Sequence, residues 1–91
     1  MLYMIVEHYL HGPEPVYERY SERGRMLPDG LRYVDSWVVD AQSLDCCYQL
    51  METDERSLID AWADQWRDLV RFEIHPVIGS AEAAARVDAG D

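Results

Sequence analysis

Ninety-one residues make one domain with a thin core, and 18 acids against 8 arginines give a formal net charge of −10. That charge repels a phosphate backbone and an anionic membrane surface, so neither nucleic acid nor membrane is an expected partner. The chain has no lysine, which removes Schiff-base chemistry and covalent pyridoxal phosphate anchoring.

Leu2 to His8 is apolar and holds β-branched Ile5 and Val6, so it reads as a first strand. The opening MLYMIVEHYL lacks the basic region and cleavage site of a signal peptide. No apolar run approaches the ~20 residues that span a bilayer, and the cytoplasm is the expected compartment. Gly12, Pro13 and Pro15 break the strand, and proline is tolerated in a first helical turn. From Pro15 to about Arg25, the spacing of Val16, Tyr20, Arg23 and Leu27 predicts a helix. Gly24 costs that helix up to about 1 kcal/mol unless it ends it or allows a close approach.

Leu27-Pro28-Asp29-Gly30 is a turn signal, and Gly30 to Val39 follows as a second strand. DAQSLD, residues 40–45, has the length of a hairpin connection. Cys46 to Glu52 is a third strand. Asp54, with Thr53 as competitor, is the expected N-cap of a second helix. Leu58, Trp62, Trp66 and Leu69 mark its apolar face. Phe72 to Ile78 is a fourth strand. The domain is therefore expected over residues 1–79, and the alanine-rich residues 80–91 form a tail that is either a short helix or disordered.

The order β-α-β-β-α-β is the split βαβ, or ferredoxin-like, pattern of the α+β class. It predicts a four-stranded antiparallel sheet with both helices on one face. In a monomer the other face should be polar. Strand one contradicts that, because Leu2, Met4 and Val6 alternate with Tyr3, Ile5 and Glu7. Strand two sets Tyr33 and Trp37 against Val34 and Val38, and strand three sets Tyr48 and Leu50 against Cys47 and Met51. An open face of this kind is an apolar patch of several hundred Å², unusual on a soluble monomer. The simplest cover is a second copy about a two-fold axis, which gives a homodimeric α/β barrel.

RGRMLPDGLRYVDSWV, CYQLMET and WADQWRDLVRFEIHPV occur in order at sensible spacing. Together they resemble a family of small bacterial proteins known only as a domain of unknown function, over about residues 1–80. That family is similar to the dimeric α/β-barrel group, which includes cofactor-independent monooxygenases, small isomerases, haem-dependent enzymes and ligand-sensing domains. So wide a range makes fold a poor guide to function. The resemblance carries no catalytic residues over to this chain.

Several constellations remain. Glu7, His8 and His11 form EHYLH, a set of metal-ligating residue types. HxxH at a strand end lacks the facing geometry of a helical pair, and no second motif completes it, so a solvated strand end is the plainer reading and no metal is assigned. Cys46 and Cys47 are adjacent, so in a strand they point to opposite faces, which suits packing better than redox pairing. Asp35 and Glu52 fall within strands that look half or fully buried, where a carboxylate suits acid–base work. His75 titrates near neutrality when unperturbed and is the best general-base candidate. The tentative catalytic set is His75, Asp35 and Glu52; the tentative ligand-binding set is Tyr33, Trp37, Tyr48 and Gln49. The competing reading is that arginines satisfy these acids or that they lie at sheet edges.

No phosphate loop, GxSxG elbow or repeated metal spacing is present. The expected function is therefore a homodimer that binds a small hydrophobic or aromatic molecule without a cofactor. Monooxygenase- or isomerase-like chemistry is conceivable there, and catalysis itself is left open. The alternative is a noncatalytic interaction or accessory module with no small-molecule site.

Overall fold

A computed structural model describes residues 1–89 of the chain. The elements run β1 (Leu2–Tyr9), α1 (Pro13–Arg23), β2 (Arg32–Val38), β3 (Cys46–Glu52), α2 (Arg56–Asp64), β4 (Val70–Val77) and α3 (Ser80–Ala89). The four strands form one sheet in the order β2-β3-β1-β4, with every pair antiparallel. This is the ferredoxin-like arrangement expected from the element order. Residues 80–89 of the tail are helical, whereas 90–91 lie outside the described residues.

Register assigns the two sheet faces. Along β1, Tyr3, Ile5, Glu7 and Tyr9 are buried and the residues between them are only partly so. Opposite residues in an antiparallel pair share a face. Cys47, Gln49 and Met51 of β3 therefore join the buried set, as does Val70 of β4, with Phe72 and Ile74 partly buried on the same face. Helix α2 lays Ile59, Trp62 and Ala63 on this face, the i, i+3, i+4 stripe of an amphipathic helix. Helix α1 buries only Val16. Trp62 meets Phe72 edge-on, with ring centroids 5.3 Å apart.

Local chemistry sets the element ends. Helix α1 starts earlier than the spacing suggests, at Pro13, because both prolines fit its first turn. It stops before Gly24, which has φ 67° and donates its N–H to the Tyr20 carbonyl at 2.7 Å. At α2 the expected Asp54 cap is replaced by Glu55, which makes no side-chain cap bond. Buried Thr53 instead accepts the Glu55 N–H at 3.1 Å, closing the turn just upstream. β4 carries Pro76 because it is a sheet edge, where a missing N–H is tolerated.

Candidate functional site

The helix side of the sheet is not filled solid. A cavity of about 220 Å³ lies between the sheet, α1 and the segment after α2. Its walls include Tyr9, Val16, Tyr17, Tyr20, Trp66 and Phe72. Tyr17 and Tyr20 are its exposed aromatic members, 48% and 43% accessible, and they mark its mouth.

One carboxylate sits inside. Glu7 occupies an inward position of β1 and is only 7% exposed. Gln49, its neighbour across the β1–β3 ladder, donates Nε2 to Glu7 Oε2 at 2.8 Å. Arg25 in turn donates Nε to Gln49 Oε1 at 2.9 Å. Burial raises the Glu7 carboxyl to about 7, against the pull of the Arg25 charge and the hydrogen-bonding groups of Tyr9 and Gln49. The same burial, reinforced by Glu7, pushes the Cys47 thiol up to about 11 and the Tyr9 phenol higher still. Cys47 is thus a protonated wall at neutral pH, not a nucleophile.

Arg25 is held by its surroundings. Its guanidinium lies 3.7 Å from the Tyr33 ring centroid and 5.1 Å from that of Tyr20. Its backbone carbonyl accepts the indole N–H of both Trp62, at 2.9 Å, and Trp66, at 3.3 Å. The next residue, Met26, takes φ 60°, a left-handed conformation, and its carbonyl accepts Gln65 Nε2 at 3.0 Å. Helix α2 ends at Asp64, short of the Trp66 and Leu69 that the sequence places on its apolar face. Trp62 in the helix and Trp66 in the turn after it pack the core and anchor the loop that aims Arg25 into the cavity.

The residues singled out from sequence divide between the two faces. Gln49 lines the cavity, and Tyr33 lies on the same side beneath Arg25. Asp35, Trp37, Tyr48, Glu52 and His75 all occupy the opposite, helix-free face, as the pairing of Trp37 with Tyr48 and Asp35 with Leu50 requires. The seven do not meet in one pocket. Glu52 is paired with Arg32 at 2.5 Å, which holds its carboxyl below the usual range, and Asp35 accepts the Ser36 backbone N–H. His75 is 3.9 Å from Glu73, which also meets His8 at 2.5 Å. His8 and Glu7 point to opposite faces, and among the described residues no group of three or more His, Cys, Asp or Glu side chains is placed to hold a metal ion.

All of residues 1–91 match the family model described as Domain of unknown function (DUF3303). The chain belongs to this family. No curated protein and no solved structure matches it. The cavity of this DUF3303 domain thus stands on its own geometry. Glu7 and Arg25, which do not figure in the tentative site, are its central polar groups. The available signal for Glu7 is its parity: it follows Tyr3 and Ile5 at two-residue spacing on the inward face. Arg25 carries no comparable signal, because the connection between α1 and β2 and two indoles decide where it points.

Proposed function

We propose that this protein is a homodimer that binds a small aromatic or hydrophobic molecule in the helix-side cavity, with Glu7 as proton acceptor. The observation that carries the reading is a carboxylate buried inside an aromatic-walled cavity and wired through Gln49 to Arg25. Pockets of this type, apolar with a few convergent polar groups and a shifted titratable residue, are the usual form of a ligand site. A carboxyl near 7 is poised between its two states at neutral pH. It can take a proton from an activated C–H or O–H and return it to another atom of the same molecule, an isomerase-like step with no change in electron count. An oxygenase variant would need dioxygen as co-reactant. No helix among the described residues is long and apolar enough to cross a membrane, and a cytoplasmic setting belongs to the same reading.

The dimer is supported by the other face. Leu2, Met4, Val6, Trp37, Tyr48, Leu50 and Val77 share it, and Trp37 is 50% exposed. A second copy pairing sheet to sheet is the occupant this reading assigns.

A set of single-ring aromatic fragments screened by two-dimensional NMR tests the site. Shifts centred on Tyr9, Val16, Cys47 and Phe72 are expected. A set that moves none of these leaves the cavity without a ligand and removes the reading. The second reading, a noncatalytic interaction module, is favoured by the exposed Trp37 and Tyr48 pair, and it is what a negative screen would leave standing.

A further inference from the structure

Three features of the cavity narrow its ligand further than the proposed function does, and the inference rests on that reading. The first is size. An engineered apolar cavity of roughly 150 Å³ admits benzene, so about 220 Å³ has room for one ring with a few substituent atoms. The second is the wall. Tyr9, Tyr17, Tyr20, Trp66 and Phe72 offer ring faces and edges from β1, α1, the segment after α2 and β4.

The third is the direction of the hydrogen bonds. Arginine only donates. Arg25 Nε therefore fixes Gln49 with its carbonyl oxygen toward the guanidinium and its NH₂ toward Glu7. That NH₂ must donate, so Glu7 Oε2 is held as an acceptor in both protonation states. The proton of the neutral acid then belongs on Oε1, and in the ionised acid Oε1 is the oxygen that Gln49 leaves free, so the remaining lone pairs of the carboxylate serve both the Tyr9 hydroxyl and a ligand donor.

We propose that the cavity binds a neutral, single-ring aromatic alcohol of the phenol type, its hydroxyl donating to Glu7 Oε1 and its ring lying among the tyrosines, Trp66 and Phe72. A carboxylate on the ring would face Glu7 inside a chain of net charge −10, while Arg25, the cation of the cavity, already directs its Nε to Gln49 and an NH group to Tyr20. An ammonium would face Arg25, which already occupies the cation-binding faces of Tyr20 and Tyr33. Arg25 and Gln49 act as positioning residues: they decide which oxygen of Glu7 meets the ligand.

The ionised carboxylate is the stronger acceptor, because a hydrogen bond to a charged group is about twice as strong as a neutral one. The groups facing Glu7 are Arg25 from the loop after α1, Tyr17 and Tyr20 from α1, Tyr9 from its own strand and Cys47 from β3. The β4 and α2-side walls contribute only uncharged Val70, Phe72 and Trp66. Burial keeps Tyr9 and Cys47 protonated through neutrality, and Arg25 contributes a constant positive charge. Glu7 is then the group in the cavity whose charge changes between pH 6 and 8.

Titration calorimetry with phenol, anisole and benzoate at pH 6 and pH 8 tests the proposal. Phenol should bind once per chain and about tenfold tighter at pH 8, since a carboxyl at about 7 goes from about a tenth to about nine tenths ionised over that span. Anisole, which has the ring but no donor, should bind more weakly than phenol and should gain no affinity from pH 6 to pH 8. Benzoate should be the weakest of the three. Glu7→Gln, with its fold checked by circular dichroism, should abolish both the pH dependence and the preference for phenol over anisole. If that variant does not fold, the three-probe comparison on the native protein still decides. Anisole equal to phenol, or phenol binding flat with pH, overturns the hydroxyl assignment while leaving a ligand cavity intact. Benzoate binding tightest overturns the requirement for a neutral ring. Failure of all three probes to bind overturns the cavity reading itself.

Discussion

Glu7 is a group whose burial costs the fold something, and that cost is measurable. Its carboxyl is raised from 4.5 to about 7 by burial, so between those values the folded chain holds a proton that the unfolded chain has released. Stability from this group is fully present below about pH 4.5 and is lost as pH rises toward and through 7. A shift of this size corresponds to on the order of 3 kcal/mol. Glu52, Asp68 and Glu73 act in the opposite sense. Each is held below the ordinary range by a partner, Arg32, Arg19 and His8 respectively. Their stabilisation is present above that range and is lost as pH falls through it, and because all three are exposed the effect is small. Urea denaturation of the native protein should therefore show stability falling from pH 5 to pH 8. In Glu7→Gln that fall should be reduced by on the order of 3 kcal/mol. Parallel pH profiles for the two proteins would mean that Glu7 ionises as an ordinary surface acid.

Gly24 to Met26, the first residues of the loop between α1 and β2, convert a helix end into a cavity wall. Gly24 has φ 67° and ψ −161°, a region open essentially to glycine alone. A Cβ there would meet nothing within 4 Å, so Gly24→Ala tests backbone conformation without steric confusion. It should destabilise by about 1–3 kcal/mol. Gly79, equally free of neighbours but with no positive φ, is the control: it caps α3, where glycine is preferred to alanine, but needs no special dihedral, so Gly79→Ala should change stability by less than about 1 kcal/mol. Thermal denaturation of the two variants checks the pair, and equal effects would show that the Gly24 conformation is not required.

This loop also marks where reading from sequence stops. The strand alternation, the two prolines and the Trp62–Trp66 stripe foretell the sheet, both main helices and their common face, because each depends on a local period. The cavity depends on long-range hydrogen bonds from Trp62, Trp66 and Gln65 to two loop carbonyls, and no local period encodes those. The inward face of β3 is not legible in this way: both of its faces carry apolar groups, so the sequence names Tyr48 and Gln49 alike, and only the pairing with β1 turns Gln49 inward. The acids Asp35 and Glu52 stand out in the sequence because they lie in apolar strands, yet the β2–β3 register, with its shift between Tyr33 and Asp35, turns both to the open face.

At the scale of the whole molecule, shape and charge both bear on the proposed dimer. The chain is a slab 49 × 33 × 17 Å, thin enough for one sheet and one covering layer of helices. Four strands about 4.8 Å apart and some seven residues long present a face on the order of 450 Å². A stable partner buries roughly 800 Å² per side, so the sheet face supplies about half and flanking segments must supply the rest. Helix α3, which buries none of its residues, is available for that role. A body with net charge −10 resists meeting its twin, except where its own charges balance. On the open face two arginines, Arg32 and Arg71, stand against three carboxylates, Asp35, Glu52 and Glu73, so this is the side on which two copies approach with least repulsion. Residual long-range repulsion is screened by salt, and association should accordingly be tighter in 0.5 M than in 0.02 M sodium chloride. Leu50 lies between Met4 and Asp35 near the middle of the face. Leu50→Lys would place a solvated charge there, in a position outside the helix-side core, and should yield a folded particle of 10.6 kDa. Sedimentation equilibrium of the native chain and of this variant at both salt concentrations separates the outcomes. A native protein that sediments at 10.6 kDa throughout would mean that the open face meets water, and the apolar side chains on it would then need a different partner.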